Sequence, residues 1–190
     1  MLVGGRSLPT TLLSWLWLLV HVDVAKRRAM HAEVKAVTEL LTNLVKSNFY
    51  AFEVGQVEGM ISAFAALCVR PSSHADIASA LSFMDTLVRY GSVPTGSLPV
   101  FVQSLCRAVN HERYKHLFPY FCSDGYHCRH CQDAYNIAKH LLNGQLAFMT
   151  MRVLCETLED PDNRAVTGLL RGAVFLMGAR ATWSCVFANG

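Results

Sequence analysis

The sequence predicts an all-α fold, a HEAT/armadillo-like α-solenoid of stacked antiparallel helices, on three observations. Apolar residues recur at helical three-and-four spacing in almost every segment. No segment passes the two-residue alternation test for a strand. Thr42-Asn43-Leu44-Val45-Lys46 is echoed by Asp85-Thr86-Leu87-Val88-Arg89, 43 positions on, and Leu67-Cys68 by Leu105-Cys106, 38 positions on. An offset near 40 is the period of HEAT-type helix pairs. Composition agrees: 52% of the residues are hydrophobic and 16% charged, against roughly 25% charged in an average soluble domain. In a solenoid each helix pair buries one face on the pair before it and one on the pair after, which accounts for an apolar excess.

Residues 1–28 form an apolar segment whose status the sequence leaves open. Arg6 precedes an apolar run of 11 residues from Leu12 to Val22, short of the ~20 that a membrane span needs. The run reads as a signal-peptide core with Val22-Asp23-Val24-Ala25 as a cleavage site, as a buried first helix, or as a non-native start. Residues 29–181 are assigned to the solenoid and 182–190 to a tail.

Within the solenoid the helices follow one another closely. Val34, Val37, Leu41, Leu44 and Val45 mark one face. Val57, Met60, Ile61, Phe64 and Leu67 mark the next. Ile77, Ala80, Leu81, Met84, Leu87 and Val88 mark a third, opened by Ser72 or Ser73 as N-cap after Pro71 and closed by Gly91. Leu98, Val102, Leu105, Cys106 and Val109 mark a fourth, started by Ser97 and Pro99, since proline suits a first turn where its N–H is not needed. Further helices are predicted near 128–142, 146–158 and 164–181. Asn143-Gly144 and Asp160-Pro161-Asp162-Asn163 provide the breaks.

The net charge is +3 with the basic residues scattered, which argues against a nucleic-acid footprint. Seven cysteines, from Cys68 to Cys185, show no regular spacing. Several sit at apolar helix positions, where cysteine acts as a small hydrophobe. We read them as reduced and the compartment as cytoplasmic.

One stretch invites a chemical reading. Cys122-Ser123-Asp124-Gly125-Tyr126-His127-Cys128-Arg129-His130-Cys131 offers three thiols and two imidazoles. A Cys3His zinc site built from Cys122, Cys128, Cys131 and His127 can be drawn from it. A structural zinc site more often uses two C-x-x-C pairs at 15–20 residue separation, and no second pair exists. On a helix Cys128 and Cys131 share one face, as packed helix residues also do. Redox use of this C-x-x-C would call for a strand before it and a βαβ setting, both missing from the pattern. No cysteine, histidine and carboxylate are fixed together as a hydrolase would need; His31, His74 and His140 suit solvated or capping roles. Gly168, Gly172 and Gly178 lack the lysine and Ser/Thr of a phosphate loop and suit close helix approach, with Arg171 as an interface, exposed or C-capping residue. Trp15, Trp17, Phe101, Phe118, Phe175 and Trp183 are candidates for exposed apolar faces, with core packing the commoner fate of such residues. No cofactor is expected.

Asn43-Leu44-Val45-Lys46-Ser47-Asn48, the ALCVR of 66–70 with the ADI of 75–77, the GSLPVFVQSLCRAVN of 96–110 and the GLLRGAVFLMG of 168–178 together resemble the N-terminal region of the tuberin family. The C-x-x-C at Cys128 and Cys131 falls where that family tends to carry one. The resemblance runs from about Asn43 to Gly178; residues 1–28 and 111–127 depart from it. It implies a HEAT-like solenoid that pairs with hamartin, in a complex that stimulates GTP hydrolysis by the small GTPase Rheb and restrains the TOR kinase. It further implies a cytoplasmic scaffold recruited to the lysosomal membrane surface as part of that complex. The family's catalytic part is a separate C-terminal domain with no counterpart here, so no catalytic residue carries over. The chain is expected to be a fragment, truncated gene model or short isoform. The α subunit of a Ral-type GTPase-activating complex has a similar plan. A small zinc- or thiol-dependent helical domain around residues 122–131 is the alternative from another class.

Overall fold

The computed structural model describes residues 2–3, 6–109, 133–134, 136–137, 140–141, 150 and 152. Six α-helices account for most of them: α1 (Leu8–His21), α2 (Val24–Ala29), α3 (His31–Asn48), α4 (Val54–Val69), α5 (His74–Tyr90) and α6 (Leu98–Val109). Single 3-10 turns at Phe49–Ala51 and Thr95–Ser97 lead into α4 and α6. Residues 133–134, 136–137, 140–141, 150 and 152 are also helical. The expectation of no strand takes one correction. Leu2–Val3 (β1) and Arg6–Ser7 (β2) pair antiparallel, Leu2 opposite Ser7 and Val3 opposite Arg6. Two residues per strand are too few to leave an alternating pattern. The fold class is unchanged.

The helices build two layers. α1, α4 and α6 stack in one, α3 and α5 in the other, with α1 on α3, α4 on α5 and α5 on α6 crossing between them. This is the arrangement of a helical-repeat solenoid. The echo of 43 residues has a structural cause. α3 starts at His31 and α5 at His74, 43 positions on, so the two echoed pentapeptides occupy equivalent turns of two helices that pack side by side. The 38-residue echo connects α4 with α6, also neighbours, but at different distances from their starts.

Apolar positions predicted to face inward do so. Val57, Met60, Ile61, Phe64 and Leu67 on α4, and Ile77, Ala80, Leu81, Met84 and Leu87 on α5, are buried in one continuous core. Each of these side chains larger than alanine contributes roughly 1.5–3 kcal/mol by leaving water. Phe64 and Phe83 stack across the layers, ring centroids 4.3 Å apart and 19° from parallel. Leu44 and Val88 are half-buried at the margin.

α1 belongs to this same core. Leu12, Leu16, Leu19 and Val20 are buried with the α3 and α4 residues. The apolar run of the first segment is a helix whose inner arc is buried. Ser7 caps it, its Oγ accepting from the Thr10 N–H at 3.4 Å, and Pro9 sits in its first turn. Gln56, in the first turn of α4, ties the two helix starts together: its Oε1 accepts from the Glu53 N–H at 3.0 Å, and its Nε2 donates to Thr10 Oγ1 at 2.9 Å.

Helix ends follow the predicted punctuation with one change. Ser73 is the N-cap position of α5, but its side chain makes no capping bond. The preceding Ser72 turns inward instead, as described below. Gly91 closes α5, its N–H donating to the Leu87 carbonyl at 3.0 Å. A Cβ there would lie 2.7 Å from Phe49 Cδ2. The glycine is needed for that close approach of the Phe49 turn, not for an unusual backbone angle.

Candidate functional site

A buried polar network joins the α1–α2 corner to the start of α5. Asp23 caps α2 through its Oδ1, which accepts from the Ala25 N–H at 2.9 Å. This short helix directs Arg27 inward while its neighbours Lys26 and Arg28 stay exposed. Arg27 is 2% exposed and Asp76 fully buried. Arg27 Nε donates to Asp76 Oδ2 at 3.1 Å, Nη1 donates to the Val20 carbonyl at 2.7 Å, and Nη2 donates to the Arg70 carbonyl. Asp76 Oδ2 also accepts from the Ser72 N–H and from Ser72 Oγ, both at 2.7 Å. Arg28 Nε adds a bond to the Ser72 carbonyl at 3.2 Å.

The guanidinium thus terminates α1 and α4 by satisfying carbonyls their last turns leave without partners. The carboxylate organises the first turn of α5. A buried charge pair persists where further hydrogen bonds complete both ions. Arg27 comes close to that condition; Asp76 Oδ1 makes no hydrogen bond. The arrangement fixes helices and presents no reactive atom to solvent.

Sequence reasoning did not single out Arg27 or Asp76. A signal existed: Asp76 falls four residues before Ala80 and seven before Phe83, on the inward arc of α5. A charge on an apolar arc calls for a buried partner.

A second feature is an open groove of about 790 Å³ along α3 and α5, bordered also by Asp133 and Asn136. Its charges come in pairs along each helix. Lys35 Nζ lies 3.8 Å from Glu39 Oε1, and Arg89 Nε lies 2.8 Å from Asp85 Oδ1. The bond that Arg89 donates to Asp85 raises the Arg89 pKa above its ordinary value. His74, at the exposed start of α5, also borders the groove. Paired exposed ions of this kind suit a solvated polar surface and add little stability.

Cys68 on α4 is fully buried, and burial pushes its thiol up to about 12. Such a thiol is protonated at neutral pH and is a packing residue rather than a nucleophile.

The exposed aromatic candidates divide. Phe101 lies fully inside the core, whereas Trp15 and Trp17 are 54% and 37% exposed. His31, His74 and His140 are exposed. The stretch holding Cys122, His127, Cys128 and Cys131 lies outside the described residues, as do Phe118, Phe175, Trp183, Arg171 and the glycines of 168–178. Among the described residues no group of three or more His, Cys, Asp or Glu is placed to hold a metal. No helix among them is long and apolar enough to cross a membrane.

A family model described as "Domain of unknown function (DUF3384)" matches residues 10–184. Among solved structures, the "Structure of the TSC2 N-terminus" is similar with a TM-score of 0.64 at 17% sequence identity. The similarity covers 90% of this chain and 42% of the solved chain. At that identity the likeness is one of fold, and it agrees with the helical-repeat architecture seen here. The family match begins within α1, so it includes part of the first segment.

Proposed function

The chain belongs to the family described as domain of unknown function (DUF3384), a tuberin-type N-terminal domain, and from that premise we propose that it is a non-catalytic scaffold segment of a tuberin-like regulator. Its task is to hold a hamartin-like coiled-coil partner within a complex that activates GTP hydrolysis by a Rheb-type GTPase and restrains TOR signalling. Contact with the GTPase is made through the full complex. The proposed setting is the cytoplasm, with recruitment to the lysosomal surface as part of that complex.

The observation that carries this reading is the extent of the fold likeness: 90% of the chain follows the solved TSC2 N-terminus. The chain spans 42% of that solved chain, so activation of a GTPase is assigned to the whole assembly. Internal chemistry is compatible with a scaffold. The buried Arg27–Asp76 pair ties helix ends together and the buried Cys68 packs in the core, which leaves the outer faces for contact.

The test is co-purification of the folded chain with a hamartin-like coiled-coil protein. A stoichiometric complex is expected. Repeated failure with protein that is helical and unfolds cooperatively would overturn the assignment.

A further inference from the structure

We draw no further inference here: the strongest candidate, the open groove along α3 and α5 lined by Ala75, Ala78 and Ser82, carries nothing, because its charged side chains pair along their own helices and nothing in the structure shows what covers it.

Discussion

Arg27 and Asp76, 49 residues apart in the chain, form a buried ion pair at 3.1 Å that binds the α1–α2 corner to the first turn of α5. Removing either charge leaves its partner buried and uncompensated. Arg27→Ala or Asp76→Ala should each cost about 3–5 kcal/mol of unfolding free energy. In a double-mutant cycle by urea denaturation, the joint Arg27→Ala and Asp76→Ala variant should lose less than the sum of the two single changes. Strict additivity would mean that the two residues act separately.

Gly91 and Phe49 set the second prediction. An added Cβ would lie 2.7 and 2.8 Å from the Phe49 ring and 3.0 Å from Leu87 Cδ1. Gly91→Ala should therefore destabilise the chain by about 1–3 kcal/mol through overpacking. Phe49→Leu in the same chain should recover part of the loss. Thermal unfolding of the four combinations measures it.

Cys68 ties stability to alkaline pH. Burial raises its thiol from 9.0 to about 12, so above pH 9 the folded chain keeps a proton that the unfolded chain releases. The contribution is whole below pH 9 and is lost as pH rises towards 12. In that window it falls by about 1.4 kcal/mol per pH unit. Urea titrations between about pH 8 and 11 should show a shallower decline for Cys68→Ala than for the unaltered chain. Identical slopes would mean that the thiol ionises as freely in the folded chain as in the unfolded one.

The stretch from Cys122 to Cys131 gives a direct choice between scaffold and metal domain. A scaffold should contain no stoichiometric zinc by elemental analysis. One zinc per chain, lost with helicity on chelation, would assign Cys122, Cys128, Cys131 and His127 to a structural site.

Much of the fold was legible because helix periodicity is local. Side chains three and four apart share a face wherever the helix sits, so Met60, Phe64 and Leu67 were placed inward before any neighbour was known. The 43-residue echo likewise anticipated that α3 and α5 stack as equivalents. The resemblance to the tuberin family rested in part on the stretches containing Arg70 and Asp76, two residues that the buried network uses.

What escaped depends on distance. Trp15, Trp17 and Phe101 are alike as apolar residues in helical patterns. Their fates differ because α6 packs its Phe101 face against α4, while the outer side of α1 meets no helix among those described. Likewise, Lys26, Arg27 and Arg28 read as one basic run. Which of them turns inward depends on Asp76 and on the carbonyls of Val20 and Arg70 converging there.

The sequence by itself thus determined the all-α class, the ends of α5 and the start of α6, the inward faces of α3 to α6 and the repeat, since each follows from neighbours within a few turns. Tertiary structure alone decided that the first apolar run is a core helix, that Arg27 and Asp76 are partners, and that two tryptophans stay in water. Burial of a charge or a ring depends on which remote segment arrives to cover it, and local spacing carries no record of that.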